Sequence, residues 1–411
     1  MNDQKLPSNS SKEDFLESLG QAPLFVVIHD KMKQLEDLPD ELIQNVLNFL
    51  ELPDLLSCGL VSKRIRSVSF IESLWQKIDI SNSGHSRKIV PTDLVKSIIN
   101  RGCKSLNLRG CNVTGRLKRS DFRLDSNYRS DQDEKNEKKI NQIKSKKKLR
   151  TTFDSSSDSS LCESKYEKRK YLVEQHKTKT KIGTCQLISL NLTKCDANYC
   201  VMYVLLTACH SLKKLSLRKV TLTPHMFQII CNQNGRTLQT LDLTFTHGSN
   251  NKFLPRDMLL IVKNCIRLKE VDFSGCRLSK NCVELLVNNL SPNVEKLGLG
   301  AFCIDAEDKH IEALVSRCNK ITSLNLACRD MLTDRSLTSI MENLKYTLEV
   351  LDIDYCQNIT NAKLIEMRSM TQLKVLNYSM PQEHYEKLKM HLPQLTNNNF
   401  WRQKWMDLLE I

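Results

Sequence analysis

Sixteen cysteines in 411 residues are the first groups whose type and number could carry chemistry. Thiolates bind structural zinc when two pairs of ligands stand two to four residues apart. They act as nucleophiles only where charge or a helix terminus depresses their pKa. Here no two cysteines are separated by only two residues, and Cys209-His210 has no second pair to close a metal site. No Gly-x-x-x-x-Gly-Lys-Ser/Thr loop, Gly-x-Gly-x-x-Gly turn or Gly-x-Ser-x-Gly elbow occurs either. The expectation is a chain with no catalytic residues, no cofactor and no metal, whose thiols serve as small buried hydrophobes.

Charge could do the work instead. The chain carries a net +14, but Gly115 to Thr184 alone holds 20 Lys+Arg against 11 Asp+Glu, leaving only +5 for the remainder. That stretch includes Lys144, Lys146, Lys147, Lys148 and Arg150, then a Ser-rich run from Ser155 to Ser160. Too little apolar surface is present to offset the entropy of ordering, so 116–184 reads as a disordered basic insertion. Its lysine cluster fits a nuclear-localisation signal, a nucleic-acid contact or a plain solvated linker. The run Leu24-Phe25-Val26-Val27-Ile28 is far short of the roughly 18 apolar residues a membrane helix needs. The first twenty residues have no apolar block for a secretory signal. Nucleus and cytoplasm are the expected locations, with no membrane partner.

Self-similarity shows which elements hold the rest in place. A Leu-x-x-Leu-x-Leu unit starts at 187, 212, 238, 268, 294, 321, 348 and 373, with spacings of 25 to 27 residues and one of 30. Cys103/Leu106/Leu108 and Trp75/Ile78/Ile80 are two earlier copies. The alternate apolar residues of each unit suit a short strand with one face buried, and the amphipathic stretch that follows supplies a covering helix. Cys111, Cys195, Cys276 and Cys356 fall three residues after the last strand position of their units. Cys209, Cys265 and Cys318 fall three before the first. The spacing resembles the cysteine-containing subfamily of leucine-rich repeats. About ten units are expected over 75–396, interrupted by 116–184.

Ahead of the repeats, Leu42, Ile43, Val46, Leu47 and Leu50 share a helical face behind Pro39. Pro53-Asp54 opens a second helix and Lys63 to Phe70 a third. Three short helices in some forty residues cannot bury every apolar side chain they carry, so part of that surface should meet another protein. Leu38-Pro39-Asp40-Glu41-Leu42, Asp54-Leu55, Val61-Ser62-Lys63-Arg64 and Leu74-Trp75 together resemble an F-box, with Ser62 and Ile65 as departures from its usual residues.

An F-box joined to cysteine-type repeats is similar to the F-box/leucine-rich-repeat substrate receptors of SCF ubiquitin ligases, the S-phase kinase-associated receptors among them. The resemblance implies an α/β chain: a three-helix F-box over 35–74, then a curved solenoid with parallel strands inside and helices outside. It implies that Leu38, Pro39, Leu42, Leu47, Leu50, Leu55 and Val61 dock on a Skp-type adaptor, and through it on a cullin and a RING subunit. Such a receptor is a non-catalytic adaptor that holds a protein substrate for ubiquitination and degradation. Two rival readings stay open: a repeat scaffold with no ligase role, and a nucleic-acid-associated protein using the insertion.

Substrate contact is expected on the strand face, from the middle column between the inward leucines, Asp242, Asp272, Asn325 and Asp352, and from the flanking columns, Arg109, Lys214, Arg218 and Lys296. The basic members could pair with a phosphorylated segment, and Gly298 and Gly300 read as a bare patch able to admit a bulky side chain. Residues 1–34 are expected to be mostly disordered. Residues 397–411 form an aromatic tail, with Trp401 and Trp405, that either caps the repeats or reaches a partner.

Overall fold

The computed structural model describes residues 35–82, 87–118, 121, 185–246, 248, 252–301, 305–378 and 381–396. The lysine cluster at 144–150, the rest of the insertion, the first 34 residues and the aromatic tail lie outside them. The chain divides into two units, Met1–Trp75 and Gln76–Ile411.

In the first unit a 3-10 turn (Leu35–Asp37) leads into α1 (Asp40–Leu47), α2 (Leu52–Cys58), α3 (Lys63–Ser69) and a short α4 (Glu72–Trp75). The fourth helix is one more than the periodicity suggests. It carries Leu74 and Trp75 into an interior made by Ile43, Leu47, Leu52, Leu55, Ile65 and Val68. Trp75 is fixed there by its indole N–H, which donates to Ser69 O at 2.9 Å. Ser62, a departure from the F-box pattern, is the N-cap of α3: its Oγ accepts from Ile65 N at 3.2 Å. Arg64 ties the entry turn down, with Nη2 donating to Leu38 O at 2.8 Å and Nε to Asp40 at 3.1 Å.

The second unit is built from the repeats. Ten three-residue strands form one all-parallel sheet: β1 (Lys77–Asp79), β3 (Ser105–Asn107), β5 (Ser189–Asn191), β7 (Lys214–Ser216), β8 (Thr240–Asp242), β9 (Glu270–Asp272), β10 (Lys296–Gly298), β11 (Ser323–Asn325), β12 (Val350–Asp352) and β13 (Val375–Asn377). Pairing is one-to-one without offset, so Leu106 lies beside Leu190 and Leu190 beside Leu215. β3 pairs directly with β5, and the whole segment between 118 and 185 is bypassed. A second parallel sheet joins β2 (Lys88–Pro91), β4 (Cys111–Thr114) and β6 (Asp196–Ala197). The last strand is covered on its far side by a parallel bridge from Val375 to Thr396, with Thr396 N donating to Lys374 O at 2.7 Å.

Helices follow the strands: α5 (Thr92–Asn100), α6 (Tyr199–Ala208), α7 (Pro224–Asn234), α8 (Pro255–Asn264), α9 (Lys280–Asn289), α10 (Asp308–Arg317), α11 (Asp334–Leu344), α12 (Asn361–Glu366) and α13 (Gln382–His391). Every leucine of the sequence pattern from 187 to 376 is buried, which makes this the leucine-rich-repeat solenoid anticipated above. Successive helices are clamped at their N-termini. Asp308 accepts from Thr333 N at 2.9 Å and Thr333 Oγ1 at 2.6 Å, and Asp334 accepts from Thr360 N at 2.8 Å and Thr360 Oγ1 at 2.7 Å. Among the described residues no helix is long and apolar enough to cross a membrane.

The turn after the strands uses a left-handed residue at a fixed place, four positions past the central leucine. Gly110 and Gly275 hold it in two repeats. Lys194, Lys219, Phe245, Ala301, Cys328 and Tyr355 hold it elsewhere, at φ between 53° and 79°.

Candidate functional site

Two surfaces stand out, one on each unit. On the helical unit, burial sorts the residues expected to dock a partner. Pro39, Leu42 and Val61 are exposed and Leu38 and Leu50 half-buried, whereas Leu47 and Leu55 are buried. The expectation for those two is corrected: they face Ile65, Val68 and Trp75 inside the unit, because a unit this small spends its most central leucines on its own core. Phe49 and Leu60, which the pattern did not single out, and Val46, which it gave only as part of the helical face, take their place. Phe49 is 89% exposed and Leu60 60%, beside Val61 at 71%, and Val46 and Leu42 are also open to solvent. Helix α1 thus buries Ile43 and Leu47 on one side and presents Leu42 and Val46 on the other, with Phe49 open in the turn that follows it. Sequence spacing places Leu42, Ile43, Val46, Leu47 and Leu50 on one broad apolar stripe; only the packing of α3 decides which part of it is covered. A group of apolar side chains held open by short helices marks a binding surface.

On the repeats, the candidate client residues separate into three kinds. Arg109 and Lys214 are exposed. Arg218 is paired with Asp242, and Lys296 Nζ lies 2.8 Å from Glu270 Oε1, so four charges of this face are balanced within it. The third kind corrects an expectation. Asp272, Asn325 and Asp352 were expected to stand open, but all are buried, Asn325 with no exposed surface and Asp352 with 2%. Asp272 lies against Gly298 and Asn325 against Gly300, which have no side chains to hold them off, and all three share one form of local hydrogen bond. In most repeats the Asn or Asp at this position turns its Oδ1 back to accept from the backbone N–H two residues on: Arg109 N to Asn107 at 3.1 Å, Thr193 N to Asn191 at 2.9 Å, Thr244 N to Asp242 at 3.1 Å, Ser274 N to Asp272 at 2.9 Å, Ala327 N to Asn325 at 3.0 Å and Asp354 N to Asp352 at 3.1 Å. These Asx turns lay the side chains flat along the sheet. The bare patch expected at Gly298 and Gly300 is filled by the same side chains. A Cβ on Gly298 would overlap the Asp272 carboxylate, and one on Gly300 would overlap the Asn325 amide. Burial pushes the Asp352 carboxyl up to about 7, against the backbone N–H that favours its ionised form.

The thiols of the repeats have a structural task. Cys111 Sγ donates to Ile80 O at 3.3 Å, Cys276 Sγ to Leu243 O at 2.9 Å and Cys356 Sγ to Leu326 O at 3.3 Å. Each reaches back to the last strand residue of the preceding unit. Thr246 does the same in its repeat, donating to Leu217 O at 2.6 Å, and Arg329 donates to Leu299 O at 2.9 Å. Burial raises the Cys195 and Cys356 thiols to about 12 and those of Cys103 and Cys318 to about 11, far from the range of a nucleophile. Cys209, Cys265 and Cys318 occupy the C-cap positions of α6, α8 and α10.

Comparison with known proteins bears on both units. A family model described as "SKP2 LRR domain" matches residues 168–402, more than half of the chain. A second, described as "F-box-like", matches residues 35–81. Among solved structures, the chain is similar to one in the crystal structure of the Rad7 and Elc1 complex in yeast, at 13% identity and a TM-score of 0.46, over 95% of this chain and 92% of that one.

Proposed function

Because the chain belongs to the family of the SKP2 LRR domain and carries an F-box-like segment ahead of its repeats, we propose that it is the substrate-binding subunit of an SCF-type cullin ubiquitin ligase. An F-box joined to leucine-rich repeats supports an SCF-type substrate receptor in general, and an F-box indicates binding to a Skp-type adaptor. The finer reading is that the helical unit docks on that adaptor while the strand face of the repeats takes a protein to be ubiquitinated. The lysine cluster at 144–150 then serves nuclear import. Receptors of this kind contribute proximity: they hold a substrate lysine near a charged enzyme bound elsewhere in the assembly, and need no chemistry of their own.

One observation carries the adaptor part, the open apolar set Leu42, Val46, Phe49, Leu60 and Val61 on a unit too small to cover it. Burying a side chain of this size contributes ~1.5–3 kcal/mol, so two of them decide whether a complex survives purification. Affinity purification of the full chain should recover adaptor and cullin together. The Phe49→Ala/Val61→Ala variant, which leaves Ile43, Leu47 and Trp75 in place, should lose both while keeping its melting temperature. Wild-type chain that brings down neither adaptor nor cullin would end the ligase reading.

A further inference from the structure

Two thiols of the early repeats are placed differently from the rest. Cys111, Cys276 and Cys356 each donate to a carbonyl of the preceding unit. Cys185 and Cys209 instead meet each other, Sγ to Sγ, at 3.8 Å. Cys185 is the first described residue after the basic insertion and leads into β5. Cys209 is the C-cap of α6 and leads into β7. Because β5 and β7 are direct neighbours, the two cysteines sit in adjacent coils, at the edge where the chain enters the sheet. Adjacent strands lie about 4.8 Å apart, inside the roughly 4.4–6.8 Å between Cα atoms that a disulfide spans. Closing the two sulfurs to about 2.05 Å therefore asks for a side-chain shift, not a slip of the sheet.

The partners are unequal. Cys209 has no exposed surface, and its carbonyl is held by Asn234 Nδ2 at 2.9 Å. Cys185 is only half-buried. The hydrogen bond from the Cys209 thiol holds the Cys185 sulfur below the ordinary thiol range, against the burial that raises it. The same bond, with complete burial, pushes the Cys209 thiol well above that range. A redox-sensing cysteine has this profile: open to solvent, with thiolate character, beside a resolving thiol. Cys231 and Cys265 are hydrogen-bonded too, but both are buried, so an oxidant in solution does not reach them.

From this juxtaposition we propose that Cys185 and Cys209 are a hydroperoxide-sensing pair, which closes to a disulfide and fastens the end of the insertion to the end of α6. The inference is independent of the receptor reading. The Cys185 thiolate attacks one peroxide oxygen, the O–O bond breaks, and hydroxide leaves while Cys185 becomes a sulfenic acid. The Cys209 sulfur then attacks the Cys185 sulfur. The S–O bond breaks as the S–S bond forms, and the second oxygen departs as water with the Cys209 proton. Two electrons pass from the pair of sulfurs to the peroxide. A dithiol reverses the change by thiol–disulfide exchange. In a reducing compartment such a bond is transient and reports oxidation. While it lasts, it ties the coil of β5 to the coil of β7 at the point where 116–184 rejoins the repeats.

The test treats the reduced full chain with hydrogen peroxide, blocks the remaining thiols, and maps disulfides by non-reducing peptide mass spectrometry. A Cys185–Cys209 cross-linked peptide should appear, and dithiothreitol should remove it. Cys185 should be consumed at least tenfold faster than the exposed Cys200. Cys209→Ala should lose the cross-link and accumulate sulfenic acid on Cys185, read by dimedone labelling. Cys185→Ser should leave Cys209 reduced and abolish the rise in melting temperature that peroxide gives the wild-type chain. If Cys209→Ala does not fold, the wild-type map and Cys185→Ser, at its half-buried position, still decide the matter. Absence of the cross-link in the wild-type chain would overturn the proposal, as would a bond from Cys185 to the buried Cys103 in its place. So would equal consumption of Cys185 and Cys200, or oxidation of Cys209 in the Cys185→Ser chain.

Discussion

At the scale of single residues, the thiols and one carboxyl set testable limits. A thiol that donates to a carbonyl of the neighbouring repeat and is buried from solvent should be slow to react. In the native chain at pH 8, iodoacetamide followed by peptide mass spectrometry should modify the exposed Cys200 well before Cys195 or Cys356. Alkylation of Cys356 at the rate of Cys200 would show that the thiol is not locked under the turn. Asp352 behaves in the opposite sense from most carboxylates. Its folded pKa of about 7 lies above the ~3.9 of an unfolded aspartate. Between those values the native state keeps a proton that the unfolded chain has released. Stability therefore falls as pH rises through that window, by up to ~1.4 kcal/mol per unit, and levels off above it. Asp352→Asn retains the acceptor for Asp354 N and removes the titration. It should match wild type near pH 4 and exceed it by at least ~1 kcal/mol at pH 8 in urea melts. A variant less stable than wild type at pH 8 would mean that the ionised carboxylate is favourable where it sits.

At the scale of the element, what matters is how one repeat is fitted to the next. Gly298 is the clearest case, since its missing side chain is the space that the Asp272 carboxylate occupies. Gly298→Ala should cost about 1–3 kcal/mol by overpacking. Adding Asp272→Ser to it should recover part of that loss, whereas simple additivity of the two changes would contradict the fit. The helix clamp has a similar test. Asp334→Ala removes both bonds from the Thr360 cap and should lower stability by about 1–2 kcal/mol. The strands were readable in the sequence because Leu-x-x-Leu-x-Leu states both period and inward face within six residues. The burial of Asp272 and Asn325 was not, because it depends on what stands in an adjacent repeat: Gly298 in the repeat after Asp272, and Gly300 in the repeat before Asn325. Phe49 and Leu60 escaped for a related reason. An apolar stripe reports that a helix has a buried side, but the packing of α3 decides which edge of the stripe is left over.

At the scale of the molecule, the zero-offset pairing of ten strands makes stability a sum over neighbours rather than a property of one centre. The direct pairing of β3 with β5 and of β4 with β6 means that the sheet does not use the long segment between them. Replacing residues 122–184 with a Gly/Ser linker should thus leave the melting temperature within a few degrees of wild type, since loop-closure entropy changes only slowly with length. A large drop would show that the segment contributes contacts to the repeats. The same order of assembly explains why the period alone located the repeats on either side of the 116–184 insertion, and why it could not say what the insertion does.

The bridge between Val375 and Thr396 has a meaning beyond the last repeat. A parallel sheet has two ends, and each end is a row of donors and acceptors on which a further copy could grow. Thr396 fills that row by giving its N–H to Lys374 and taking one from Leu376. It acts as a terminator in the sense used for a polymer chain: it stops templated addition. Thr396→Pro leaves the buried leucines untouched and abolishes one of those bonds, so the expected defect is not unfolding but concentration-dependent self-association through an edge that has become sticky.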